Sequence, residues 1–173
     1  QGNTVILEDI KHFNPKHIFE CGQCFRWIKQ EDDSYTGVAM GKVINVKQDG
    51  DKIYLDNTTK EDFDNIWYDY FDLGRDYESM VNTLKVMDEY LEKATEFGEG
   101  IRILKQDGWE MLISFIISAN NRIPMIQRAI NNLSDTNFVP PYKLIGFTAL
   151  SVDNATTFST PQSNAASITF CAP

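Results

Sequence analysis

The hydrophobic pattern of this chain changes its period once, near residue 58, and that change limits the folds available to it. Before residue 58, aromatic and β-branched residues alternate with polar ones in short runs, and turn-forming residues such as Asp49-Gly50-Asp51 separate the runs. The runs predict strands over residues 24–29, 35–40, 42–47 and 53–55. Because no connection is long enough for a crossover helix, we expect an antiparallel sheet.

After residue 58 the apolar residues recur every three or four positions, as on one face of a helix. Thr58 or Thr59 is suited to cap the first helix. Asp76 is suited to cap a second helical stretch, which ends at Gly98-Glu99-Gly100. Asp107 is suited to cap a third helix. The third helix is strongly apolar, and four of its residues are expected to face inward: Trp109, Leu112, Ile113 and Ile116. The chain is therefore predicted to have an α+β fold.

A tight connection, Ser118-Ala119-Asn120-Asn121, interrupts the third helix, and Pro124 suits the first turn of the next one. Beyond residue 136 the composition changes, since Lys143 and Asp153 are the only charged residues left and Ser, Thr, Asn, Ala and Pro dominate. We expect a β-rich N-terminal domain with helices over residues 1–88, the start of a helical domain over 89–136, and an atypical low-charge tail over 137–173.

The charge balance is unusual for a protein that binds nucleic acid. The net charge is −9 and the sequence pI about 4.6, whereas phosphate contacts are made by Lys and Arg. DNA binding would require positive groups to gather on one face, and Arg102, Lys105 and Arg128 are candidates for such a rim. No apolar stretch reaches the roughly 18 residues of a membrane helix, and no signal peptide is recognised, so the cytoplasm is the expected location.

Cys21-Gly22-Gln23-Cys24 forms a C-x-x-C motif, which is compatible with a redox dithiol or a zinc site. A redox pair normally opens a helix, but residues 25–28 alternate like a strand. Zinc would require four ligands, and His17 with the two cysteines supplies three. We expect buried or half-buried thiols, with no metal and no cofactor.

Two short runs carry a resemblance to a known family. Gly22-Gln23-Cys24-Phe25-Arg26-Trp27 and, about a hundred residues later, Ser118-Ala119-Asn120-Asn121 together resemble the 8-oxoguanine DNA glycosylases, over roughly residues 3–136. Within the first run, Phe25 and Trp27 are expected to anchor the core, and Arg26 on the other face to pair with a carboxylate. The resemblance implies a β-rich domain followed by the first helices of an incomplete helical glycosylase domain.

The resemblance also implies roles in binding duplex DNA that contains oxidised guanine. The Gly22 carbonyl would accept a hydrogen bond from the N7–H of the oxidised base, and Asn120 would fill the space left by the flipped nucleotide. Asn121 and Arg122 would lie near phosphates. Met125 occupies the position where many relatives have an arginine that reads the opposite cytosine, so a relaxed opposite-base preference is expected, since methionine has no donor.

The family's helix-hairpin-helix, with its catalytic lysine and aspartate, is not recognisable in the sequence. We therefore assign no catalytic residue: the lineage is that of a base-excision repair glycosylase and AP lyase, but this chain is expected to lack the catalytic half. The alternatives are a non-catalytic truncated piece, or a small binding module that uses the C-x-x-C motif. In a prokaryote the chain would be associated with the nucleoid. An incomplete helical domain should also expose apolar side chains and self-associate through them, and the expected residues are Ile113, Ile116, Ile126 and Ile130.

Overall fold

A six-stranded sheet organises the computed structural model, which describes residues 3–135 and 168–171. The sheet order is β2-β3-β4-β5-β1-β6, and its first five members are antiparallel. β6 lies parallel to β1 at the edge. The strands are β1 Thr4–Glu8, β2 Trp27–Lys29, β3 Tyr35–Ala39, β4 Lys42–Asp49, β5 Lys52–Asp56 and β6 Ile168–Cys171.

The predicted antiparallel sheet is confirmed, with two differences in extent. β2 begins at Trp27 rather than at residue 24, because residues 22–26 form a turn instead. β1 was missed by the sequence analysis, although Val5 and Leu7 alternate with less buried neighbours and are 1% and 2% exposed. The predicted tail lies outside the described residues except for β6, and the domain boundary at residue 88 stays a prediction.

Seven α-helices belong to the described part of the chain, with a π-helical turn, Phe63–Trp67, between the second and the third. They are α1 Pro15–Glu20, α2 Lys60–Asp62, α3 Tyr68–Tyr70, α4 Tyr77–Lys85, α5 Glu89–Phe97, α6 Gly108–Ser118 and α7 Ile123–Asp135. None of the described helices is long and apolar enough to cross a membrane.

The predicted caps at Asp76 and Asp107 are confirmed, and of the two threonines it is Thr59 that caps α2. The hydroxyl oxygen of Thr58 is buried and instead accepts a hydrogen bond from the indole of Trp67 at 2.8 Å. The stretch between Asp76 and Gly98 contains two helices rather than one, because Asp88 caps a new helix.

Aromatic rings form the core between the sheet and the helices. Phe19 of α1 stacks on Trp27 of β2 at 3.9 Å between ring centroids, and the indole of Trp27 donates to the Tyr70 hydroxyl at 3.1 Å. The backbone of Gly37, the register partner of Trp27, lies so close to that indole that a Cβ would overlap it, so this strand position requires glycine. Trp27 is therefore a core anchor, as expected, whereas Phe25 is only half-buried.

The expected carboxylate partner of Arg26 is Glu110 of α6, with Nη1 to Oε2 at 3.7 Å. Arg26 is 2% exposed, and burial lowers the pKa of its guanidinium and raises the pKa of Glu110, while their mutual attraction opposes both shifts. This ion pair joins the start of β2 to the first turn of α6.

The expectations for the last two helices are partly wrong. No residue of α6 is buried, and Trp109 and Leu112, expected to face inward, are 37% and 47% exposed. Ile116, for which both an inward and an exposed position were expected, is 59% exposed, which confirms the second expectation. Conversely, Ile126 and Ile130 of α7, expected to be exposed, are 4% and 0% exposed. The spacing of apolar residues identifies which of them share a helix face, but not whether a neighbouring element covers that face.

Candidate functional site

A cleft of about 410 Å³ separates the turn at residues 22–26 and the neighbouring strands from α7. Its walls come from two parts of the chain that are about a hundred residues apart in sequence. The residues that line it are Phe19, Glu20, Gly22, Cys24, Phe25, Trp27, Ile28, Lys29, Tyr35, Ile123, Gln127 and Asn131. The structure therefore brings the first of the two sequence motifs against the helix that follows the second.

Gly22 lies in the turn that leads from α1 into β2, and its backbone has φ +87°. L-residues rarely adopt this left-handed conformation, which costs them about 1–2 kcal/mol. A Cβ at this position would lie 3.8 Å from Cδ1 of Ile123, so the helix approaches the glycine without crowding it. The turn therefore favours glycine because of its backbone conformation, and it presents bare backbone to the cleft.

Gln23 fixes this turn to the extended segment that precedes α6. Its side-chain amide donates to the carbonyl oxygens of Ile18 and Arg102 at 2.9 and 2.8 Å, and its side-chain oxygen accepts from the Leu104 amide at 3.0 Å. Its own backbone carbonyl accepts a hydrogen bond from the Gln106 side chain at 2.6 Å. Sequence analysis did not assign Gln23 this role, since its partners are mainly backbone groups, two of them about 80 residues away.

The connection between α6 and α7 is a tight turn in which Asn120 has φ +54°. The Asn121 side chain donates to the Ile117 carbonyl at 3.1 Å and accepts from the Arg122 amide at 2.9 Å, so it joins the end of α6 to the start of α7. In the described part of the chain the Asn120 side chain makes no hydrogen bond, and the residue is exposed. Of the two asparagines, Asn121 thus supports the turn while Asn120 projects from it.

The predicted site residues do not all lie in the cleft. Ile123, three residues after Asn120, contacts the cleft beside Gly22, whereas Asn120, Asn121 and Arg122 lie on the exposed turn that precedes it. Met125 is 53% exposed in the first turn of α7. The arrangement is a cleft with bare glycine backbone in one wall, next to an exposed polar turn.

The positive rim that the sequence suggested is smaller than expected. Arg102 is 4% exposed; its guanidinium donates to the carbonyl oxygens of Lys11, His12 and Asp72 and lies 4.5 Å from the ring centroid of Tyr77. Its role is therefore structural. Lys105 forms ion pairs with Asp69 and Asp72, both at 3.2 Å. Arg122 and Arg128 remain as exposed cations on the turn and on α7.

The C-x-x-C cysteines differ in environment. Cys24 is 7% exposed, as expected, and burial raises the pKa of its thiol far above the ordinary value. The expectation is wrong for Cys21, which is exposed. His17 Nδ1 lies 2.6 Å from the carbonyl oxygen of Glu99. Within residues 3–135 and 168–171, no three His, Cys, Asp or Glu residues are grouped as metal ligands would be.

Sequence reasoning missed the polar residues of α7 that face the cleft. Gln127 and Asn131 follow Ile123 at intervals of four, which places all three on one helix face. That spacing was available in the sequence, but only the position of α7 shows that this face lines the cleft.

Comparisons with known proteins agree on one family. A family model described as 8-oxoguanine DNA glycosylase, N-terminal domain, matches residues 5–112. The N-glycosylase/DNA lyase of Saccharomyces cerevisiae is 31% identical over an alignment 131 positions long, which covers 68% of this chain and 34% of the yeast protein.

Two solved structures are more similar still. The protein MBOgg1, in complex with a low-affinity DNA ligand, is 54% identical with a TM-score of 0.76, over 79% of this chain and 47% of its own. The 8-oxoguanine glycosylase/lyase of Clostridium acetobutylicum, bound to double-stranded DNA with cytosine opposite 8-oxoG, is 52% identical with a TM-score of 0.70, over 72% of this chain and 43% of its own. The chain thus spans about a third of the yeast protein and less than half of either solved chain.

Proposed function

The chain belongs to the 8-oxoguanine DNA glycosylase family, since the model of that family's N-terminal domain matches residues 5–112, and from this premise we propose that it recognises 8-oxoguanine flipped from duplex DNA. The two relatives with solved structures were both bound to DNA, one of them to DNA that contains 8-oxoG. The chain would act in base-excision repair, in the compartment that holds DNA, which in a prokaryote is the nucleoid.

The observation that carries the proposal is the conformation of Gly22 in the wall of the cleft. Its φ of +87° and the contact distance to Ile123 leave backbone, rather than side chain, facing the space between the sheet and α7. A flat base can approach bare backbone within hydrogen-bond distance. The Gly22 carbonyl is therefore suited to accept from the N7–H that distinguishes 8-oxoguanine from guanine.

The exposed turn supplies the second half of the proposal. Asn120 has no partner among the described residues and projects from a turn that Asn121 supports. A short amide can replace some of the hydrogen bonds that a base pair loses when one base leaves the stack. Arg122, exposed beside it, is suited to contact a phosphate.

Binding is best tested by fluorescence anisotropy with two duplexes that differ only in 8-oxoguanine against guanine. We expect tighter binding of the damaged duplex, and a loss of roughly tenfold with Asn120→Ala, whose lost contacts are worth about 1.4 kcal/mol. Asn132→Ala, at an exposed position of α7, is the matched control and should bind like the unchanged chain. Equal affinity for the two duplexes would overturn the proposal.

The salt dependence should be shallow because few cations are available at this surface. With about one or two phosphates neutralised by Arg122 and Arg128, the logarithmic salt slope should be about −1 to −2. Affinity should then fall about 4- to 16-fold between 50 and 200 mM salt. A slope near −6 would show a different and more basic binding surface.

The proposal extends to the base opposite the lesion. Met125 is exposed in the first turn of α7 and has no hydrogen-bond donor, so cytosine and adenine opposite 8-oxoguanine should bind within a few-fold of each other. Met125→Arg should gain a preference for cytosine, since a well-placed arginine pair discriminates by about 1–3 kcal/mol. The same preference in both proteins would contradict the role of this position.

We propose that the chain alone recognises 8-oxoguanine in DNA but does not cleave the DNA. Borohydride reduction traps the Schiff base that a nucleophilic lysine forms with the sugar, and we expect no adduct with 8-oxoguanine duplex. The buried Cys24 thiol counts against the alternative of a C-x-x-C redox or metal module. One equivalent of zinc in the purified protein would restore that alternative.

A further inference from the structure

The backbone carbonyl of Gly22 belongs to a residue that does little to fix its direction. Gly22 has no side chain, and glycine moves readily between the left-handed conformation seen here, with φ +87°, and other backbone conformations. The carbonyl is part of the peptide unit that joins Gly22 to Gln23. If this unit rotates by half a turn, the Gln23 N–H faces the cleft in place of the Gly22 oxygen. The restraint on the carbonyl therefore has to come from neighbouring residues.

Gln23 is held at two places, its side chain and its backbone carbonyl. The side chain makes three hydrogen bonds to backbone groups, and the carbonyl oxygen accepts from Nε2 of Gln106 at 2.6 Å. Because the side chain and the carbonyl leave the same Cα atom, the two sets of contacts together fix the orientation of that atom. L-residues largely avoid positive φ, and Gln23 is no exception. The preceding peptide unit, which contains the Gly22 carbonyl, is therefore left with a narrow range of directions.

Gln106 is suited to hold the Gln23 carbonyl because both of its own neighbours are fixed. The backbone amide of Lys105 donates to the Tyr70 carbonyl at 2.9 Å, and the Asp107 side chain caps α6 by accepting from two amides of the first turn. Gln106 is half-buried, and within the part of the chain that the structure describes its side chain makes this one hydrogen bond. A substitution of Gln106 that removes the donor should therefore disturb no other hydrogen bond.

We propose that Gln106 is a positioning residue for the recognition of 8-oxoguanine, because its hydrogen bond to the Gln23 carbonyl keeps the Gly22 carbonyl directed into the cleft. The inference rests on the proposed function, since it explains how the acceptor in that proposal is oriented. Gln106 does not line the cleft, so it acts through Gln23 and not by touching the base. N7 of guanine is an acceptor, whereas N7–H of 8-oxoguanine is a donor. A carbonyl that turns away loses both its attraction to the damaged base and its repulsion of the undamaged one.

The test compares Gln106→Met with Gln30→Met in the full 173-residue chain. Methionine keeps the approximate length and shape of glutamine but has no hydrogen-bond donor. Gln30 is the matched control because it is also a half-buried glutamine whose amide donates to one backbone carbonyl, that of Ile28 at 3.0 Å, and it does not line the cleft. Circular dichroism and thermal unfolding of both variants check that they are folded.

The first measurement is the ratio of the dissociation constants for the guanine and 8-oxoguanine duplexes, obtained by fluorescence anisotropy. Gln106→Met should lower this ratio about threefold to tenfold, the range expected for one hydrogen bond, while the affinity for the guanine duplex changes by less than about twofold. Gln30→Met should keep the ratio of the unchanged chain. Two results would overturn the inference: a Gln106→Met ratio equal to that of the unchanged chain, or an equal loss of affinity for both duplexes, which indicates a merely structural role.

The second measurement requires no DNA. Relaxation-dispersion NMR detects exchange on the microsecond to millisecond timescale, and the Gln23 amide belongs to the same peptide unit as the Gly22 carbonyl. We expect exchange at this amide in Gln106→Met, and none in Gln30→Met or in the unchanged chain. A Gln23 amide without exchange in Gln106→Met would overturn the inference. If exchange appears but the unchanged chain binds both duplexes equally, Gln106 holds the carbonyl as inferred and the proposed function is what fails.

Discussion

Replacing Gln23 by alanine should destabilise the protein far more than is usual for a half-buried polar residue. The side chain makes three hydrogen bonds, all to backbone groups, and these connect the Gly22 turn with residues 102 and 104 and with the end of α1. Alanine removes all three. It also leaves the amide of Leu104, a residue that is 5% exposed, without its acceptor.

The magnitude follows from the number of bonds. Each contributes about 1 kcal/mol net, and an unsatisfied buried donor adds a penalty of about 1–3 kcal/mol. Because Gln23 is half-buried, water can replace some of these partners, so the total should be about 2–3 kcal/mol. For a folded region of this size that corresponds to a fall in Tm of roughly 6–12 °C.

Urea unfolding followed by circular dichroism measures the change, with Gln48→Ala as the control. The Gln48 amide is exposed and donates only to the Gly50 carbonyl at 3.4 Å, so its loss should alter the free energy of unfolding by less than about 0.5 kcal/mol. Gln23→Glu should be no more stable than Gln23→Ala, because a carboxylate keeps the acceptor for Leu104 but cannot donate to two carbonyl oxygens. If Gln23→Ala unfolds like Gln48→Ala, the turn is held by other contacts and this reasoning is wrong.

Three further predictions concern single side chains. Gly22→Ala should destabilise the protein by about 1–2 kcal/mol because of its φ of +87°, and Gly22→Asn by less, since asparagine tolerates that region; equal losses in thermal unfolding would indicate a steric cause instead. Hydrogen bonds from the Ser34 side chain and from Lys47 lower the pKa of Asp32 from 3.8 to about 2, so its contribution is complete above about pH 5 and is lost as the pH falls through 2. Because Asp32 is largely exposed, that contribution should be under about 1 kcal/mol, and Asp32→Asn should be less stable than the unchanged chain at pH 7 but approach it in stability only below about pH 1. Burial raises the pKa of Cys24, so iodoacetamide at pH 8 should modify Cys21 at least tenfold faster by mass spectrometry, and similar rates would show that the turn opens readily.

Local chemistry accounts for the features that the sequence predicted correctly. Asp76 and Asp107 cap helices because a side-chain oxygen can reach backbone amides two or three residues further on, and that requires no distant partner. The strands were recognisable because apolar and polar residues alternate along a strand that has one buried face. The family resemblance likewise rested on short runs whose residues are adjacent in sequence.

The errors concern partners that are distant in sequence. Arg102 looked like a solvated cation, but three carbonyl groups and the Tyr77 ring surround it. The sequence correctly identified which apolar residues of α6 and α7 share a helix face. It predicted that Ile126 and Ile130 are exposed, however, and both are buried. The apolar residues of a helix face have the same spacing in the sequence whether or not another element packs on that face.

The sequence by itself determined the type and order of most elements, the caps and the family, because periodicity, capping and short motifs depend on residues within one or two turns of each other. Tertiary structure alone decided that Gly22 and Ile123 face each other across a cleft, that Gln23 holds the turn in place, and that α6 is uncovered. Those facts depend on how elements about a hundred residues apart pack together. The spacing of residues along a single element does not determine that packing.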